Sequence, residues 1–166
     1  MGPLTRKGQD SPLLPRLALD VPIFKDGKLV GASLRARWLA WPLGTKRGAR
    51  VLVVDDAKDA AIALGSSLKS AGYDVARAYD GVCGLAAARS LLPDLVLLDI
   101  VMPGLSGYEV LRELRGDPAT SHIKVILTGA GAQGADWARL AGAHDFLKMP
   151  CDPALVLSKV GQALAV

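Results

Sequence analysis

The chain has 166 residues, about half of them apolar and few aromatic, which suits one ordinary domain with a sizeable core plus an appendage. The formal charge of +4 is unevenly placed: residues 1–50 hold ten Lys/Arg against three Asp, and residues 51–166 hold ten against thirteen Asp/Glu, so a nucleic-acid role would rest on the leader alone. Two cysteines, Cys83 and Cys151, are too few for a disulfide framework and lack metal-ligand spacing, and no apolar run reaches the ~18 residues of a membrane span.

Prolines and glycines punctuate residues 1–49, and no helical or strand period lasts. Pro3, Pro12, Pro15 and Pro22 break up any secretory h-region. VPIF-KDGK-LVGASL has the pattern of a hairpin turning at Asp26-Gly27. RARWLAWPL mixes cations with tryptophans, as membrane-surface or nucleic-acid contacts do. The preferred reading is a basic, poorly ordered extension over 1–49, followed by one domain over 50–166.

RVLVV (50–54) is a β-branched run without alternation, as in a strand buried on both faces. It stops at Asp55-Asp56. AKDAAIALGSSLKSAG follows, with Ile62, Leu64, Leu68 and Ala71 on a helical spacing and Gly72 closing it. YDVARAY (73–79) reads as a strand and Asp80-Gly81 as a turn. VCGLAAARSLL is a small-residue helix stopped by Pro93. DLVLLDI (94–100) is a second apolar strand, carrying Asp99. VMPGLSG leads into YEVLRELR, a helix ended by Gly116 and Pro118. IKVILT (123–128) is a strand ending on Thr128, TGAGAQG a glycine-rich loop, and ADWARLAGA a short helix. HDFLKM is the fifth strand. DPALVLSKVGQAL is the closing helix, with Asp152 as N-cap and Pro153 at N1.

Five β-α repeats at this spacing predict a doubly wound α/β domain, a five-stranded parallel sheet with helices on both faces. Such sheets bind ligands outside the carboxyl ends of their strands. Those ends carry Asp55 and Asp56, then Asp99, Thr128 and Lys148-Met149. Any one acid there reads as a cap or turn former. Three carboxylates on one rim repel one another and need a cation. Oxygen-only ligands point to a hard ion such as Mg²⁺.

VLVVDD, PDLVLLDIVMPGLSGYEVLREL, VILTGA and GAHDFLKMP together resemble the receiver domain of bacterial two-component response regulators. The resemblance covers 50–166 and implies a flavodoxin-like (βα)5 fold and a chemotaxis-regulator-like, stand-alone receiver. It implies that Asp99 is the phosphoacceptor. Asp56 and Asp99 would ligate Mg²⁺ directly, Asp55 partly through water, and the Val101 backbone carbonyl would complete the protein ligands. Thr128 would give its hydroxyl to a phosphoryl oxygen, and Gly129 would leave the approach open. Met102, Pro103 and Gly104 would shape the loop, with Gly107 allowing the turn into the next helix. Thr128 and Phe146 would form the switch.

The pattern departs most from the family at the end of the fifth strand, besides a histidine, His144, where the family often has an acid and a Thr128–Gly142 loop about one residue short. The family has a phosphate-pairing lysine immediately before the proline of the fifth strand. Here Met149 precedes Pro150, and Lys148 stands one residue early. A one-residue shift sends a strand side chain to the opposite face. His144 and His122 have plain surface readings.

The implied donor is a histidine kinase or phosphotransfer protein, in the cytoplasm. Output would be a protein contact through the last two helices and the fifth strand, by a monomer or weak homodimer. No nucleic acid or membrane is expected to bind the receiver, and catalysis would be limited to its own phosphorylation and dephosphorylation. The apolar side of ADWARLAGA is expected to face the sheet. Met149 favours a second reading, a pseudo-receiver that acts without phosphate. A phosphohydrolase or nucleotide-binding enzyme is disfavoured, because Val101 stands where a second catalytic acid would and Asp55-Asp56-Ala57 where glycines would.

Overall fold

The computed structural model describes residues 23–25, 28–29, 48–131 and 134–165. The elements run β1 (Ile23–Lys25), β2 (Lys28–Leu29), β3 (Arg50–Val54), α1 (Lys58–Ser70), β4 (Asp74–Ala78), α2 (Gly81–Leu91), β5 (Leu95–Asp99), α3 (Gly107–Gly116), β6 (Lys124–Gly129), α4 (Gly134–Leu140), β7 (Asp145–Lys148) and α5 (Pro153–Leu164). One sheet has the order β2-β1-β4-β3-β5-β6-β7. Its five strands from β4 to β7 are parallel, as the β-α alternation predicts.

Residues of the leader join this sheet. β1 runs parallel to β4, with Ile23 opposite Arg77 and Phe24 opposite Ala78, and β2 folds back antiparallel on β1. The predicted turn at Asp26-Gly27 and the rest of 1–47 lie outside the described residues, and with them the reading of a poorly ordered extension.

Alternation along each strand builds two cores. Leu52, Val54, Ala76, Ala78, Val96, Leu98, Val125 and Leu127 face α2, α3 and α4. Val51, Val53, Val75, Leu95, Leu97, Ile126 and Leu147 face α1 and α5. Fully burying one such side chain contributes roughly 1.5–3 kcal/mol, so the central strands hold the sheet rim in place.

Three local expectations change. On α1 the buried residues are Ala61, Gly65 and Leu68, whereas Ile62 and Ala71 are exposed; the helix turns toward the sheet on its small residues, since Gly65 packs against the Arg77 stem. Asp80 is not a turn residue but the N-cap of α2, accepting from the Cys83 N–H at 2.6 Å. On α4 only Ala138 turns inward, while Trp137 and Leu140 are 61% and 81% exposed, so most of its apolar surface faces solvent rather than the sheet.

Candidate functional site

The carboxyl ends of β3 and β5 are adjacent in the sheet. Asp55 and Asp56 follow β3, and Asp99 ends β5. One carboxylate oxygen from each lies within 4.8 Å of the others. Asp55 is buried and held by the Ala57 N–H at 2.9 Å. Asp99 is half-buried and Asp56 exposed.

Crowding alters the chemistry of these acids. Burial, then Asp55 and, more weakly, Asp56, push the Asp99 carboxyl up to about 6, against the pull of the Ile100 and Val101 backbone N–H groups. Burial also raises Asp55, with the Ala57 N–H opposing and Asp56 adding. The side-chain charges acting on Asp99 are thus both negative. The donors are all oxygens and mutually repelling, which fits a hard divalent cation.

Thr128 stands opposite Asp99 on β6 and is buried. Strand alternation puts Asp55, Asp99 and Thr128 on the face of α1 and α5, in line with Val53, Leu97 and Ile126. The same face takes Met149, two residues after Leu147. The Met149 N–H extends the ladder by bonding the Gly129 carbonyl at 2.9 Å, and its bond to Pro150 is cis. Its sulfur lies 3.4 Å from the Cys151 thiol. Lys148 pairs with Gly129, is exposed, and leaves the sheet on the Phe146 side.

The loop after Asp99 is anchored at both ends. Met102 is buried in the α2–α3 core, while Val101 is exposed. Gly104 takes a left-handed φ of 76°, where side chains are strained. Ser106 and Glu109 form a capping box that starts α3. Gly107 is needed for a reason the sequence does not reveal: a Cβ there would meet the Asp99 carbonyl oxygen. Gly81, which the sequence reads only as a turn residue, has a packing role: a Cβ there would meet the Leu105 carbonyl at 2.1 Å, so α2 braces the same loop. Phe146 is half-buried against the α2–α3–α4 core.

Comparison with known proteins agrees with this fold. The response regulator receiver domain family matches residues 51–161. Protein PilH of Pseudomonas aeruginosa is 40% identical over 119 residues, covering 70% of this chain and 98% of PilH. Response regulator PleD of Caulobacter vibrioides is 41% identical over 118 residues, covering 68% of this chain and 25% of PleD. The receiver domain of sensor histidine kinase PA1611 from Pseudomonas aeruginosa, solved with a magnesium ion coordinated in its active-site cleft, superposes with a TM-score of 0.66 at 26% identity, covering 72% of this chain and 99% of that one. With the acidic rim, the strand order and these matches in agreement, the chain belongs to the response regulator receiver domain family.

Proposed function

We propose that the phosphoacceptor role of this receiver in two-component signalling is carried by Asp99. The observation behind this is the pairing of a half-buried strand-end carboxylate with two further carboxylates and, in register, a buried hydroxyl. An Asp99 oxygen attacks the phosphorus of a phosphohistidine on a kinase or phosphotransfer protein. The P–N bond breaks, its electron pair leaves on the imidazole nitrogen, and an acyl phosphate forms. A carboxyl near 6 is mostly ionised at neutral pH and so competent to attack.

Asp55, Asp56 and Asp99, with the Val101 carbonyl, would hold Mg²⁺. When bound, the ion supplies neutralisation of charge on the phosphoryl oxygens. Thr128 gives its hydroxyl to a phosphoryl oxygen, and Thr128 with Phe146 relays the change. We read the receiver unit as residues 50–166 and place it in the cytoplasm; among the described residues no helix is long and apolar enough to cross a membrane. Its catalysis is confined to its own phosphoryl group. The output contact falls on α4, β7 and α5, where Trp137, Leu140 and Leu155 are exposed.

Incubation of the full chain with Mg²⁺ and phosphoramidate, followed by intact-mass measurement, tests this reading. One phosphate should appear on the wild type and none on Asp99→Asn. Equal labelling of both would move the acceptor elsewhere.

A further inference from the structure

A transferred phosphoryl group turns the single charge of Asp99 into a phosphoryl dianion, one more negative charge beside the two carboxylates of Asp55 and Asp56. Among the described residues, the lysines of β6, β7 and α5 are engaged elsewhere or turned away from that rim. Lys148 is exposed on the opposite face of the sheet. Lys159 is tied to Asp145 at 2.6 Å. Lys124 reaches the Ala163 carbonyl. Lys58 stands 6.0 Å from the Tyr79 ring centre, on the β4 side of the site. The side chain that follows β7 on the Asp99–Thr128 face is Met149, a thioether in contact with the Cys151 sulfur. A thioether accepts hydrogen bonds weakly and donates none.

We infer that Met149 makes this receiver depend on its phosphodonor for the cation that neutralises the phosphoryl group on the β7 side. This rests on Asp99 being the acceptor. The fitting donor is a phosphohistidine surface bearing an Arg or Lys beside the histidine. Small neutral-tailed phosphodonors bring no such cation and are poor substrates. Met149 is therefore a specificity-determining residue, which selects protein donors over metabolite-sized ones.

The test uses the full chain with Mg²⁺ and acetyl phosphate, whose acetyl tail carries no charge, read by intact mass against time. Wild type should label slowly, and Met149→Lys about tenfold faster or more, the effect of one charge-assisted contact. The acceleration should persist when Lys148→Ala is added. Met149→Ala should label slowly and speed up on addition of methylammonium. A metal-free readout accompanies these: in chelator, Met149→Lys should raise the thermal midpoint, and the gain should disappear in an Asp99→Asn background.

Equal rates for wild type and Met149→Lys, both requiring Asp99, would overturn the inference and leave the acceptor assignment standing. So would a tenfold slowing of wild type by Lys148→Ala. Labelling that survives Asp99→Asn would overturn the acceptor assignment itself.

Discussion

A Cβ added to Gly107 would lie 2.1 Å from the carbonyl oxygen of Asp99. The first turn of α3 therefore rests directly on the backbone that carries Asp99, the proposed phosphoacceptor. Alanine at 107 must push the helix or the strand end away. Gly107→Ala should destabilise the fold by about 1–3 kcal/mol and slow phosphate uptake together. Gly116, in open space at the other end of the same helix, gives the contrast. Gly116→Ala should stabilise by about 0.4–1 kcal/mol. Thermal denaturation of both variants checks the pair.

Burial and the neighbouring Asp55 and Asp56 push the Asp99 carboxyl from an ordinary 3.8 up to about 6 in the fold. Between those values the native state binds a proton that the unfolded chain does not. Without metal, stability should fall as pH rises through that interval. Asp99→Asn removes the penalty. Its melting midpoint in chelator should exceed that of wild type by about 2–4 °C at pH 7.5, and the two should converge near pH 4. Midpoints that run parallel across this range would show that Asp99 is not strained by its neighbours.

The same proton competes with metal. Mg²⁺ affinity should be level above about pH 7 and should fall by up to about tenfold per pH unit below 6. Titration calorimetry from pH 5 to 8 measures this. Asp99→Asn should flatten the portion governed by Asp99 and leave a weaker, shallower dependence from Asp55, which burial also raises.

Arg115 ends α3 as a clasp. Its Nε donates to the Gly142 carbonyl at 3.0 Å, and its Nη1 to Ser121 and Ile123 carbonyls at 3.1 and 2.9 Å. Burial lowers its pKa. Arg115→Met keeps the stem and loses the fork, and should cost about 2–3 kcal/mol. Arg115→Lys should recover only part, because one ammonium cannot span three carbonyls. Urea denaturation distinguishes the three proteins.

The sequence reveals most where period and chemistry coincide. Fully apolar runs ending in Asp55-Asp56, Asp99 and Thr128 specify buried parallel strands and place their ends on one rim, and the observed cluster has this arrangement. Close approach is where the sequence says little. Gly107 and Gly81 look like turn glycines, yet each is small because a carbonyl oxygen lies against it. Ile62 looks like a core residue of α1, but a helix can pack on Ala61 and Gly65 when the sheet side is already filled by strand side chains. Lys148 and Met149 were separable in advance, because a one-residue step in a strand changes face whatever its neighbours are.

The pairing of β1 with β4 also bears on where this protein can be cut. A chain trimmed to the family match, beginning at Val51, would lose the strand opposite Arg77 and Ala78. Their outward backbone N–H and C=O groups would then stand unpaired along a bare sheet margin. Such margins recruit strands from neighbouring molecules. The minimal receiver should accordingly self-associate more readily than the full chain, even though every residue of its acidic rim is retained.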